Sequence, residues 1–545
     1  MKQNTGRNCN GTKKDGRRPN RSKGRVNKNE RRNDEIRDTV EREINSSGTH
    51  MSRVNDVSWY TNFPQFAKDA GTLPFAMPLG TRFDLGQFEG YGAVIESPGI
   101  MRIGFVPTIG YSADLTSPIN RSALRFYSYL RNIQKAAARY DSADAMMYLI
   151  ALDSAVMFWH HMRRIYGVAQ LFSPVNLYYP RVLLAAMGVD PDIVNNLADF
   201  RMYLNRYAIN LGRFTAPKDI DLFNRHGWMC EGIYVDSPST KAQTYVFVPD
   251  GFWQYNNTVA TGSQLDWVTW QPAGPNMKQH TFAEITSFGD ALISHLAGDE
   301  DCGWISGDIY AAYKGNTMKL VETDESYRVL PAYDEVVLSQ IENLVFAGEW
   351  AEGYTPVISQ DPSVNSGAIL FKPIFTGDPV LYSTSNAYDN YFYDMHRTLN
   401  MHKDDVTPAD VLEASRLLID CDTHQGQTFT PTTFGTEIAT RMNIFIRNEQ
   451  SGGFNSIYSR TSSIRNYGVI ASDLLSMQKM AILSQFDWHP IMALEKCTYG
   501  ADPSQGVTSI QLDEFIGDVD NITPVTYSQL SNLHEAAILS LFDVP

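Results

Sequence analysis

Residues 117–166 read SPINRSALRFYSYLRNIQKAAARYDSADAMMYLIALDSAVMFWHHMRRIY, and their periodicity decides the fold class. Ser117 with Pro118 is a helix start, since Pro is preset for the first helical position and Ser favours the cap. A helix is expected from there to about Tyr140. Ala123, Phe126, Leu130, Ile133 and Ala137 recur at helical spacing, with Arg121, Arg125, Lys135 and Arg139 roughly opposite. Ser142 or Asp144 opens a second helix running through Trp159 to Tyr166. Its apolar run, Ala145 to Trp159, is too short to span a bilayer and is interrupted by Asp153, so it predicts a buried helix and no membrane segment. His160 and His161 then fall on ordinary helix surface and core edge. Asp190-Pro191 starts a third helix ending near Gly212. Two long helices and this third one make the scaffold of the chain mainly α.

Working towards the N-terminus, charge replaces hydrophobicity. Residues 30–44, ERRNDEIRDTVEREI, carry only the thin apolar stripe Ile36, Val40, Ile44, enough for a short amphipathic helix that docks on another surface. Before it, residues 1–32 hold twelve cations: Lys2, Arg7, Lys13, Lys14, Arg17, Arg18, Arg21, Lys23, Arg25, Lys28, Arg31 and Arg32. Asp15 and Glu30 are the acids among them, so the segment carries +10. Such a segment buries too little apolar surface to offset the entropy of ordering, and alone it is expected to be disordered. A terminal block of like charge suits a polyanion, and cations spaced by Gly and Asn without aromatics suit phosphate contact over base reading. A nucleic acid is therefore the expected kind of partner, bound largely without regard to sequence, through these twelve residues. A solubilising or targeting tail is the plainer alternative.

Towards the C-terminus the sign reverses. The chain carries 46 bases and 61 acids, and without residues 1–32 the balance is 34 against 59. Residues 120–218 hold twelve bases and six acids, whereas 228–390 hold six bases and 21 acids. Residues 228–390 also contain six of the nine Trp and the short β-branched runs Tyr245 to Val248, Lys319 to Glu322 and Ile369 to Pro373. A capping box, Thr281 to Glu284, opens a helix ending near Ala297. This pattern predicts an acidic α+β domain inserted in the helical scaffold. After about Asn390 helices are expected again, from Thr407-Pro408 to Ile419, from Ser472 to Phe486, and from Thr526 to Phe542, with a strand at Glu437 to Arg447. Earlier, Trp59 to Gly86 reads as ordered extended loop, and Val94-Ile95 and Met101 to Val106 as strands around the turn Ser97-Pro98-Gly99.

Catalytic patterns are absent or broken. His534-Glu535 begins HExxH, but Ile538 stands where the second His belongs. Gly90-Tyr-Gly92 stops short of a dinucleotide fingerprint, and neither a Walker motif nor GxSxG occurs. His396 and His402, near Asp394, Asp404 and Asp405, are spaced for different helix faces, which argues against a metal site. No enzyme activity, metal or cofactor is expected, although a hydrolase with a basic tail remains an alternative, as does an RNA-binding protein that forms no larger assembly. The five cysteines (Cys9, Cys230, Cys302, Cys421, Cys497) lack paired spacing and read as thiols of a reducing compartment. The N-terminus has no apolar h-region, so no signal peptide is expected, and Asn120-Arg-Ser and Asn256-Asn-Thr are chance sequons.

Two stretches go beyond composition. GTKKDGRRPNRSKGRVNKNERRNDEIRDTVERE (11–43) and VNDVSWYTNFPQFAKDAGTLPFAMPLG (54–80) resemble the capsid proteins of picobirnaviruses, the human-virus type in particular. The resemblance runs along the whole chain and is surest over the first hundred residues. It implies a virion protein assembled in the host cytoplasm as two-fold dimers on a simple icosahedral lattice around double-stranded RNA. It also implies a mostly helical fold with shell and projecting parts. Some family members lose an N-terminal piece by self-cleavage, but no residue set here marks a scissile bond. Together these readings give an arm (1–45), a shell part (46–227), an acidic projecting domain (228–390) and a second shell part (391–545).

Overall fold

The computed structural model describes residues 63–72, 82–88, 91–96, 98–133, 139–171, 179–218, 220–239, 242–256, 262–274, 276–361, 367–376, 398–425, 428–447, 454–459, 463–466, 482–499 and 507–543. The chain divides into two units, Met1–Pro74 and Phe75–Pro545. In the first, the described residues form one short helix, Pro64–Ala70, with no buried side chain. The expected extended loop is corrected there: Pro64 sits at the first helical position, and Gln65 donates to Asp69 across one turn at 2.6 Å. The amphipathic helix expected over 30–44 lies outside the described residues.

The second unit begins with a hairpin, β1 (Arg82–Phe88) and β2 (Tyr91–Glu96), followed by β3 (Pro98–Pro107). The expected turn at Ser97 to Gly99 is shorter than read, because Pro98 already belongs to the strand and pairs with Ile446. Helices α1 (Pro118–Ile133) and α2 (Ser142–Ala169) follow. Ser117 does not cap α1 with its side chain. Its hydroxyl accepts from the upstream amides of Ala113 and Asp114, while its carbonyl accepts from Asn120 and Arg121. Ala123, Phe126 and Leu130 are buried as expected, but Ile133 is 42 % exposed.

Helix α2 is capped by Asp141, one residue before the expected start, in a reciprocal box with Asp144. Its 28 residues span about 42 Å. Apolar side chains on every face make it the axis of the core. Around it pack α1, α3 (Leu197–Leu211), α4 (Asp221–Glu231), α5 (Phe282–Ala297) and α6 (Glu300–Ala312). Asp190 and Pro191 open the third helix as read, through a 3-10 turn, and the box at Thr281 and Glu284 starts α5. Gly289 lets α5 approach closely: a Cβ there would stand 2.3 Å from the Tyr203 hydroxyl and 2.6 Å from the Phe158 ring.

A mixed five-stranded sheet lies against these helices. With β4 (Tyr234–Val235), β5 (Thr244–Pro249), β10 (Glu437–Arg447) and β11 (Phe454–Ser459), its order is β11-β10-β3-β5-β4. Strands β3 and β5 run parallel, Ile100 opposite Thr244 to Phe105 opposite Pro249, and β10 runs antiparallel to β3. Ile100, Met101, Ile103, Phe105 and Val246 to Val248 are buried, the continuous apolar run of strands covered on both faces. A second sheet joins β6 (Gly251–Asn256), β7 (Gln264–Thr269), β8 (Val357–Asp361) and β9 (Ala368–Leu370).

The fold is therefore mixed α and β. The expectation of a mainly α chain with α+β confined to 228–390 is corrected, since β3 and β10 lie outside that range and the described residues after 398 are largely strands. Thr407 and Thr526 do cap helices, α7 (Pro408–Ala414) and α8 (Tyr527–Leu541), and β10 has the bounds read from the sequence. Residues 319–322 form no strand, with Val321 facing solvent and no ladder partner. Most of the helix expected over 472–486 lies outside the described residues. The charge step near 227 is not a break in packing either: β5 pairs with β3, and α5 and α6 pack on α2. Acidity records which side chains face water; the core is set by the apolar ones.

Candidate functional site

Charges buried in the sheet organise its centre. Asp250, just past β5, accepts from the guanidinium groups of Arg102 on β3 and Arg441 on β10, at 2.6 and 3.0 Å, and from the Thr440 hydroxyl. Burial works to raise the Asp250 carboxyl, yet Arg441 and Arg102 hold it below the ordinary range. Arg102 also donates to Asn443 at 3.0 Å, and Arg441 to the carbonyls of Pro272 and Gln271 at 2.7 and 3.2 Å, with Glu349 at 3.4 Å. Two cations and two acids thus close into a neutral, hydrogen-bonded cluster. Its members come from residues 102, 250, 349 and 441, so it ties sequence-distant segments together.

A second cluster joins α2, α4 and β10. The His226 imidazole meets Asp153 at 2.5 Å through Nδ1 and Glu437 at 3.5 Å through Nε2. Arg225 donates to both Glu437 oxygens at 3.2 and 3.1 Å and to Gln340 at 3.0 Å. Burial opposes the imidazolium, but Asp153 and Glu437 lift His226 to about 10. Burial likewise works against the Glu437 anion, and Arg225 and His226 hold it well below its ordinary value. Burial raises Asp153 in spite of the His226 contact, and the shared proton sits on the imidazole, which faces an acid at each edge. The sequence reading had Asp153 as a break in an apolar run; its partner lies 73 residues away.

Three cations of the basic stripe Arg121, Arg125, Lys135 and Arg139 have partners within the fold. Arg121 pairs with Glu535, and Arg125 with Asp543 at 3.0 Å, so these two cations tie α8 and the segment two residues past its end to α1. Arg139 lies over the Trp304 ring, 3.5 Å from its centre, and Lys135 is outside the described residues. The twelve arm residues expected to bind RNA (Lys2, Arg7, Lys13, Lys14, Arg17, Arg18, Arg21, Lys23, Arg25, Lys28, Arg31 and Arg32) lie outside the described residues as well.

The histidines considered in the sequence are explained by packing. His161 is fully buried, correcting its expected place at the core edge, with Arg164 2.8 Å away. His402 pairs with Glu342 at 2.7 Å, and His396 is outside the described residues. His534 is buried against the Leu418 carbonyl at 2.9 Å, and burial pushes it down to about 3. Among the described residues no group of His, Cys, Asp and Glu is arranged to hold a metal, and no helix is long and apolar enough to cross a membrane. Cys230 and Cys302 are buried free thiols, and burial pushes Cys230 up to about 12. The chain is therefore expected to keep its sedimentation profile in dithiothreitol; a change would reveal a structural disulfide.

Known proteins supply the remaining observation. The family model described as "Picobirnavirus, Capsid protein" matches residues 59–506. The chain belongs to the picobirnavirus capsid family. A curated relative, the capsid protein precursor of a human picobirnavirus (strain Human/Thailand/Hy005102/-), is 32 % identical over 528 residues, 92 % of each chain. The crystal structure of a picobirnavirus capsid matches with a TM-score of 0.71 at 22 % identity, over 90 % of this chain and 98 % of that one, so the two share a fold. As a picobirnavirus capsid protein the chain is a structural component of a virion and associates with copies of itself. In that light the two buried clusters are fold-holding devices of a shell subunit.

Proposed function

We propose that this chain assembles as two-fold dimers into a small icosahedral shell around double-stranded RNA, formed in the host cytoplasm, with residues 1–45 tethering RNA on the inner side. The observation that carries this reading is the concentration of twelve Lys/Arg in the first 32 residues of a chain whose remainder is strongly acidic. Among the described residues, Arg121, Arg125, Arg163, Arg181 and Arg206 each pair with an acid of the fold. The arm is left as the concentrated positive charge.

An arm of about 30 residues reaches roughly 100 Å when extended and averages about 30 Å as a coil. Each arm offsets about ten phosphates, and its binding should fall with salt at a log–log slope of roughly −7 for single strands and −9 for a B-form duplex. A shell of about a hundred subunits would then offset on the order of a thousand charges. That tethers a kilobase-scale duplex to the wall without condensing it. Acids of 228–390 are disfavoured beside RNA by like-charge repulsion, so this acidic surface is proposed to face outward as the projecting part, between shell parts 46–227 and 391–545.

Deleting residues 1–45 tests the division of labour. Particles should still form, as seen by electron microscopy, while the RNA recovered per particle drops sharply. Soluble dimers that never close into shells would make the arm an assembly element and overturn the tether.

A further inference from the structure

Helix α6 presents one face to the core and, among the described residues, leaves the other largely exposed. Cys302, Ile305, Ser306, Ile309 and Ala312 are buried. On the opposite side Glu300, Gly303, Trp304, Gly307, Tyr310, Ala311 and, just past the helix end, Lys314 recur at spacings of three and four, and all are exposed. Trp304 is 47 % and Tyr310 60 % exposed, a large aromatic surface to leave in water. The Trp304 ring is held in place by Arg139 on one side.

The glycines sharpen the point. Glycine is among the least favourable residues for a helix interior, and two occur here within one turn of each other. A Cβ added at Gly303 or Gly307 would meet nothing within 4 Å, so packing inside the subunit does not call for either. With Ala311 they form a flat strip flanked by Trp304 and Tyr310, the shape that lets another helix backbone approach closely.

We propose that this face of α6 pairs with α6 of a second copy, antiparallel about a two-fold axis through Gly307. The proposal rests on the reading of the chain as a two-fold assembling capsid subunit and names the contact. The order of residues is what selects the occupant. When the strip is reversed onto itself about Gly307, Gly303 meets Ala311 and Trp304 meets Tyr310. Glu300 meets Lys314 of the partner subunit, and the same pair forms again at the other end. Such self-complementarity is what an isologous interface requires, and an unrelated partner would not call for it. The helix dipoles also oppose favourably. A parallel arrangement would set Glu300 against Glu300 and Asp301 against Asp301, and the acidic N-terminal turn repels a polyanion such as RNA. One helix pair buries less than the roughly 1,200 Å² of a stable interface, so α6 is the centre of a contact that surrounding surface completes.

Charge reversal in the full-length chain tests the register. Glu300→Lys or Lys314→Glu alone turns both symmetric pairs into like-charge pairs and should weaken dimerisation about tenfold in sedimentation. Glu300→Lys with Lys314→Glu restores opposite pairs and should return dimerisation to the wild-type range. Independently, Gly307→Cys places two thiols near the axis, and mild oxidation of particles should give a covalent dimer that wild-type particles do not give. If wild-type chain forms particles, yet the single reversals assemble normally and Gly307→Cys gives no cross-link, the α6 contact is overturned and the capsid reading stands. If wild-type chain forms neither dimers nor particles, the assembly reading fails and the α6 contact with it.

Discussion

Replacing Asp250 with asparagine should cost the subunit about 3–5 kcal/mol, the range for removing one partner of a buried ion pair. Asp250 accepts from Arg102 and Arg441 at 2.6 and 3.0 Å, and both guanidinium side chains are essentially excluded from water. With the carboxylate gone, Glu349, 3.4 Å from Arg441, is the acid left to two cations, and the Asn443 that accepts from Arg102 carries no charge. The loss falls where β3, β5 and β10 meet, so the whole sheet should feel it. Arg206→Ala is the matched control: it breaks an exposed pair with Asp290, worth less than about 1 kcal/mol. Urea midpoints of the soluble subunit decide between them. If Asp250→Asn shifted the midpoint no more than Arg206→Ala does, the cluster would not hold the sheet. Removing the charges together, as in Arg102→Met with Asp250→Asn, should recover part of the loss, because the cost lies in the excess buried positive charge and not in the missing contact.

Why such clusters escape a reading of the sequence follows from where their residues sit. Helix α2 was legible because its apolar residues repeat locally, and β10 because alternation bounded it between Glu437 and Arg447. The caps at Thr281, Thr407 and Thr526 are likewise local, each a hydroxyl three residues from its amide. Arg102 and Arg441, by contrast, stand alone within the runs MRIGFV and IATRMNIFI, and their partner lies 148 and 191 residues away. A lone charge inside a strand destined for burial is itself the signal, since it must find a counter-charge; which one is a matter of topology. The same limit applies to the charge step near residue 227. Net charge over 228–390 is summed along the sequence, while β5 inside that range is wholly buried and belongs to the central sheet. The strip on α6 was missed for the opposite reason: exposed glycines look like loop residues until a helix aligns them.

Histidine 226 gives the subunit an alkaline weakness. An ordinary imidazole loses its proton near 6.5, but here Asp153 and Glu437 hold it to about 10 against the cost of burial. The folded chain therefore keeps a proton that the unfolded chain has released. Its stabilising effect is complete below about pH 6.5, declines between 6.5 and 10, and is gone above that. The slope can approach about 1.4 kcal/mol per pH unit, which over this window amounts to a few kcal/mol. Glu437 acts at the other end: held below its ordinary value, it stabilises above about pH 4.5 and loses that contribution as pH falls. His226→Phe should flatten the decline between pH 6.5 and 10 and cost about 3–5 kcal/mol at neutral pH, because Asp153 then loses its cation while Glu437 keeps Arg225. Adding Asp153→Leu removes the stranded carboxylate and should restore most of the stability without restoring the slope. Unfolding midpoints of the two variants and the wild type at several pH values provide the test. A His226→Phe chain that weakened with alkali as the wild type does would show that the proton sits elsewhere.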